Sequence, residues 1–103
     1  MRLDKLTIKA QEALAEAMEL ASEQGHAEVQ PLHVLAALLK QEQGAVVSVM
    51  NRVGAHPRQL QAEIETALRR LPRQSGAHLQ PHLSQELQQV LDLAWKAAQP
   101  LKD

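Results

Sequence analysis

Apolar residues recur at helical spacing in five stretches of the chain, and turn-forming residues separate them. In the first stretch Ala10, Ala13, Leu14, Ala17, Met18 and Ala21 line one side, while Glu12, Glu16 and Glu19 take the others. Thr7 stands where its hydroxyl can accept an orphan N–H of the first turn. Gly25 stands where the helix can exit through a left-handed residue. The second stretch, "PLHVLAALLK", opens on Pro31, whose missing N–H has no partner in a first turn anyway. It is apolar on most sides, which predicts a central helix, with Gly44 as its expected stop. "AVVSVMNRV" predicts a short third helix closed by Gly54; its valines are weak helix formers, so it depends on its neighbours. A fourth helix runs from Pro57 to Pro72 with Leu60, Ile64, Ala67, Leu68 and Leu71 inward. The segment "RQSGAHLQPH" carries the Ser, Gly and Pro of a linker. Ser84 then caps a fifth helix, whose apolar side is Leu87, Val90, Leu91, Ala94, Trp95 and Ala98, ending before Pro100.

The fifth helix repeats the first. "LSQELQQVLDLAWKAA", from Leu83, aligns with "LTIKAQEALAEAMELA", from Leu6, at an offset of 77 positions. Leu6 falls on Leu83, Thr7 on Ser84, Gln11 on Gln88, Leu14 on Leu91, Ala17 on Ala94 and Ala21 on Ala98. The organisation expected is all-α: a four-helix unit over residues 1–72, a linker over 73–82, and the first helix of a second unit over 83–103. At the same offset a counterpart of "PLHVLAALLK" would begin past Asp103, so the expectation is one complete repeat and the start of another.

Composition narrows the function classes. With 103 residues there is material for one domain, and 45% hydrophobic residues suffice for a core. One Trp and no Phe or Tyr leave that core to aliphatic side chains and alanine. A net charge of −1 provides no global attraction to nucleic acid or to an anionic membrane. Without cysteine there can be no disulfide, thiolate metal site or cysteine nucleophile. The opening "MRLDKLT" lacks the apolar stretch of a signal peptide, and no apolar run is long enough to span a bilayer, so the expected location is cytoplasmic.

Candidate chemistry is sparse. The chain has no phosphate-binding glycine loop, no G-x-S-x-G and no H-E-x-x-H, so no enzymatic activity and no cofactor are expected of it. His78 and His82 are four apart, but Pro81 and the linker composition deny them a common helix, and no carboxylate completes a zinc set. His26 and His56 fall at loops or caps. His33 lies among leucines and is expected to be a buried imidazole satisfied by a neighbour. Arg69, Arg70 and Arg73 form a small basic cluster with no aromatic platform, which reads as a solvated helix end. A helix-turn-helix DNA reader would want a basic recognition helix, and the third helix offers only Arg52. What is left is a helical domain with aliphatic surface to cover, suited to binding other chains.

The opening "MRLDKLTIKAQEAL", the Gly25–His26 pair and the "PLHVLAALL" block together resemble the Clp N-terminal domain family over Met1 to Asp103. The start "MRLDKLT" and the "LRRLP" of Leu68–Pro72 are most similar to its ClpB-type disaggregase branch. The resemblance implies a pair of four-helix units related by a pseudo-twofold axis. It also implies an accessory domain of a hexameric AAA+ machine whose ATPase modules, with their ATP and magnesium, lie elsewhere. The partners implied are unfolded or aggregated polypeptides, and a DnaK-type chaperone system acting with the whole machine. Substrate would be met at an apolar groove in which Leu91 and Leu93 match apolar positions and Thr7 and Asp103 match polar ones. The alternative within the family is an adaptor-docking domain, as in ClpA- and ClpC-type unfoldases. A fifth helix without its later partners is expected to favour self-association at high concentration.

Overall fold

The structure is a computed structural model and describes residues 8–41, 44–74 and 80–98. Its elements are α1 (Ile8–Glu23), β1 (Glu28–Val29), α2 (Pro31–Lys40), α3 (Ala45–Arg52), α4 (Pro57–Arg69), β2 (His82–Leu83) and α5 (Gln85–Ala98). The two short strands pair in parallel, Glu28 with His82 and Val29 with Leu83.

α2 is the central helix, as its all-round apolar pattern predicts. On one side Ala37 joins Ala13, Leu14, Ala17 and Ala21 of α1, Val29 of β1 and Leu87 of α5 in a first core. On the other, Ala36 and Leu39 meet Ile64 and Leu68 of α4, with Val46, Val47 and Met50 of α3 at the margin, in a second core. Alanine at the seam lets the α1 and α2 backbones approach closely. The two helices run antiparallel: Gln41 Nε2, just past the end of α2, donates to the Lys9 carbonyl near the start of α1 at 3.1 Å. Met18, one position past Ala17, falls off this narrow alanine seam and is exposed, contrary to its place in the sequence pattern.

α1 ends in a complete Schellman motif. His26 N–H donates to Ala21 O at 2.8 Å and Gly25 N–H to Ser22 O at 3.1 Å, with Gly25 at φ +75°. α3 ends the same way at Gly54, φ +79°, with Ala55 N–H on Met50 O and Gly54 N–H on Asn51 O. Gly44 behaves differently from expectation. α2 stops at Lys40, and Gly44, at φ −76°, is the N-cap of α3 rather than the stop of α2. The stop is made without a left-handed residue: Gln41 N–H turns back to Leu38 O. Pro57 opens α4 as predicted, and Arg70 caps it two residues before Pro72.

The connector between α1 and α2 is held by two buried imidazoles. His26 and His33 are almost fully buried, and His26 Nδ1 lies 2.8 Å from His33 Nε2. The proton positions follow from one unambiguous donor. Gln30 N–H, at the N-cap of α2, donates to His33 Nδ1 at 2.9 Å, the reciprocal half of a capping box with imidazole in place of Glu or Gln. His33 Nδ1 is therefore an acceptor, so neutral His33 carries its proton on Nε2 and donates it to His26 Nδ1. Neutral His26 must then carry its own proton on Nε2, which is buried and has no hydrogen-bond partner. The expectation of a satisfied buried His33 holds; His26, expected at an ordinary loop, is its partner.

Both rings are held below the ordinary imidazole value of 6.5. For His26 the main cause is burial, followed by repulsion from Arg73. The Leu68 backbone pulls the other way without closing a hydrogen bond to Nε2. For His33 the causes are burial and then the neighbouring His26, opposed by the Gln30 backbone.

Two further tethers converge on this connector. Gln74 N–H donates to Gly25 O at 2.7 Å, bringing the segment after α4 against the end of α1. Ser84 N–H donates to Val29 O at 2.9 Å and His82 N–H to Ala27 O at 3.3 Å, which anchors the start of α5. The predicted linker is thus tied at both ends, and its residues 75–79 lie outside the described residues.

Two predictions follow from these geometries. A Cβ on Gly25 would stand 2.9 Å from the Gln74 carbonyl oxygen, whereas one on Gly54 would meet nothing within 4 Å. Gly54→Ala should cost the left-handed penalty of about 1–2 kcal/mol, and Gly25→Ala more than that. Urea melts of the two variants check this, and equal losses would contradict it. For the imidazole pair, the unfolded chain takes up protons near 6.5 while the folded chain resists until lower pH. Stability should therefore be complete above that pH. It should decline as pH falls toward the depressed folded values, by at most about 1.4 kcal/mol per pH unit for each ring. Urea midpoints measured from pH 8 to pH 5 test it; a flat profile would refute it.

Candidate functional site

α5 begins where the sequence places it. Ser84, fully buried, accepts the N–H of Leu87 on its Oγ at 3.0 Å, and its carbonyl accepts from Gln88 N–H at 3.0 Å. Gln88 Nε2 adds a bond to the Leu83 carbonyl at 3.1 Å. The cap and the strand pair together fix the direction in which α5 leaves the first core.

That direction divides the apolar side of α5. Leu87 is buried in the first core, and Leu91, one turn on, packs half-buried against it. Val90 and Leu93, spaced three apart on the neighbouring strip, are 48% and 66% exposed. Ala94, on the apolar side in the sequence pattern, is also exposed. Among the described residues, then, Leu93 is a surface leucine and Leu91 sits at the boundary between core and surface. Thr7 and Asp103, the polar residues expected beside them, lie outside the described residues, as do the side chains of Trp95 and Ala98. The charged side chains of α5, Glu86, Asp92 and Lys96, are exposed around the apolar strip.

The sequence pattern put Val90 on the apolar side of α5 together with Leu87 and Leu91. A helical period cannot separate a strip that meets a core from one that lies beside it. It also treated Arg69, Arg70 and Arg73 as one solvated helix end. In the fold Arg69 and Arg73 share a cavity of about 320 Å3 with Lys40 from α2, while Arg70 is not part of it. No signal in the sequence joins Lys40 to Arg73, since their proximity depends on how α2 crosses α4. Among the described residues no group of three or more His, Asp or Glu gathers to hold a metal ion, and no helix is long and apolar enough to cross a membrane.

The Ser84 cap makes its own prediction. Ser84→Ala should cost about 1–2 kcal/mol and should loosen α5 selectively. Amide hydrogen exchange is expected to quicken at Leu87 and Gln88 while α4 stays protected. Loss of protection spread evenly over the chain would count against a local cap.

Three kinds of comparison bear on this arrangement. The profile of the "Clp repeat (R) N-terminal domain" family matches residues 5–103. The Mycobacterium tuberculosis chaperone protein ClpB is 39% identical over 97 residues, which is 94% of this chain and 11% of that protein. ClpB of Rhodopirellula baltica is 36% identical over 102 residues, 99% of this chain and 12% of the relative. The chain thus spans about one-ninth of the length of these relatives. Among solved structures, the Hsp104 N-terminal domain from Candida albicans superposes with a TM-score of 0.84 at 26% identity, covering 95% of this chain and 64% of that one. The N-domain of ClpV from Vibrio cholerae gives a TM-score of 0.81 at 27% identity, over 93% of this chain and 56% of that one. Family profile, identity across nearly the whole chain and a shared helical fold agree, and the chain belongs to the Clp N-terminal domain family.

Proposed function

We propose that this chain is the substrate-interaction N-domain of a ClpB-type AAA+ disaggregase and that it receives unfolded or aggregated polypeptide on the exposed strip of α5. The observation that carries this reading is the placement of Val90 and Leu93 on the outer side of a helix whose other side is locked into the core. Such a strip is rigidly presented yet free to bury apolar side chains of another chain. Burial of this kind has few directional demands, so binding should be weak and broad in sequence preference. The ClpB relatives support the parent type, and a related ClpV N-domain has been solved in complex with a VipB peptide.

Chemical work would fall to the ATPase modules of the parent protein, which would use ATP and magnesium in the cytoplasm alongside a DnaK-type chaperone system. Thr7 and Asp103 would supply polar contacts at the edge of the strip. The same exposed strip gives two copies of this chain a surface on which to associate at high concentration.

Leu93 is the residue on which to test this. Being exposed, Leu93→Ser should change stability by no more than about 0.5 kcal/mol. Leu91→Ala, by contrast, would remove core contacts and confuse binding with folding. In an NMR titration with a casein, backbone shifts should localise to Val90, Leu91 and Leu93, and Leu93→Ser should weaken binding about tenfold, the equivalent of burying much of one leucine. Unchanged affinity in Leu93→Ser would refute the strip. Tight binding of a folded adaptor, with no response to casein, would move the reading to the ClpA- and ClpC-type alternative.

A further inference from the structure

On the side of α2 away from α5, the cavity shared by Lys40, Arg69 and Arg73 has features that helix ends alone do not explain. Its apolar floor is Leu20 of α1, Ala36 of α2 and Leu68 of α4. Its rim holds three cations against the single carboxylate of Glu65, and none of the three cations closes an ion pair among the described residues. Lys40 and Arg69 stand in the last turns of α2 and α4, where cations complement the helix dipole whatever else they do. Arg73 has no such reason to be there. It lies beyond α4 and is held over the cavity by the adjacent Gln74 N–H bond to Gly25 O at 2.7 Å. The cavity is also lined by Gln24 and Gln61.

We propose that this cavity binds a peptide carboxylate. Lys40, Arg69 and Arg73 would take the anion, and the apolar floor would take the adjoining side chain. At about 320 Å3 the space lies at the small end of ligand-sized cavities and suits one or two residues, not a folded surface. An inorganic anion would satisfy the cations but would leave the floor unused. The carboxylate can come from a chain terminus or from an acidic side chain. Either would let the domain hold a polypeptide at a point separate from α5. Because the two surfaces lie on opposite sides of α2, failure of one reading leaves the other intact.

The test is an NMR titration of the chain with three short blocked peptides: one ending in leucine with a free carboxylate, the same peptide amidated, and an amidated peptide with an internal aspartate beside leucine. Saturable shifts at Gln24, Gln61, Leu68 and Arg73 are expected with a carboxylate-bearing peptide and not with the uncharged one. Which acid binds identifies the source. The double substitution R69Q/R73Q should weaken binding about tenfold, whereas Glu65→Gln should tighten it, a sign that misfolding cannot mimic. Equal binding of the uncharged peptide, binding that survives R69Q/R73Q, or no shifts at about 10 mM peptide, well above the millimolar Kd of a weak site, would overturn the proposal.

Discussion

The hydrogen bond between His26 and His33 fixes the one place on which every later element depends. It closes the connector between α1 and α2 from inside, at a site where water cannot compete. A single backbone N–H, that of Gln30, sets both tautomers, so the pair donates in one direction only. With the connector closed, the Gly25 carbonyl is presented to Gln74, and the Ala27 and Val29 carbonyls to His82 and Ser84. The chain after α4 and the start of α5 are therefore placed by backbone groups on the seven-residue connector between α1 and α2. The arrangement has an internal cost, since the relay ends on a buried His26 nitrogen with no acceptor. The same burial that strengthens the bond makes it sensitive to protonation.

α2 converts this local order into an architecture. It is short, ten residues, and both sides are used: Ala37 meets α1 and α5, while Ala36 and Leu39 meet α4. A helix buried on two sides divides the domain into two small cores instead of one large one. Each core then leaves a different surface. The α1–α5 side leaves an aliphatic strip, Val90 and Leu93, beside the Leu87 and Leu91 that join the core. The α4 side leaves a cavity rimmed by Lys40, Arg69 and Arg73. The aliphatic strip and the cationic cavity thereby lie on different sides of α2.

Much of this was legible in the sequence. The five helices, the glycine stops at Gly25 and Gly54, the proline starts at Pro31 and Pro57, and the Ser84 cap follow from local chemistry, which needs no distant partner. The central position of α2 followed from a pattern apolar on most sides. The family resemblance was carried by "MRLDKLTIKAQEAL" and "PLHVLAALL" for the same reason: contiguous residues hold it. Gly44 was misread because a glycine serves equally as a stop or as an N-cap, and the choice was made by Gln41 turning back to Leu38.

Tertiary structure alone decided which apolar residues are covered and which charged residues meet. Periodicity placed Leu87, Val90, Leu91 and Ala94 on one broad side of α5, but the strand pair with Glu28–Val29 sets the angle at which the helix leaves, and that angle buries Leu87 and exposes Val90. His26 and His33 are seven residues apart, and only the folded connector turns their rings toward each other. Lys40 and Arg73 are separated by α3 and α4 and come together because α2 crosses α4 beside the end of α1. The sequence determined the helices and their ends, since propensity and capping act within a turn or two. The fold determined the surfaces, since exposure depends on the distance and angle between elements, and no local pattern encodes either.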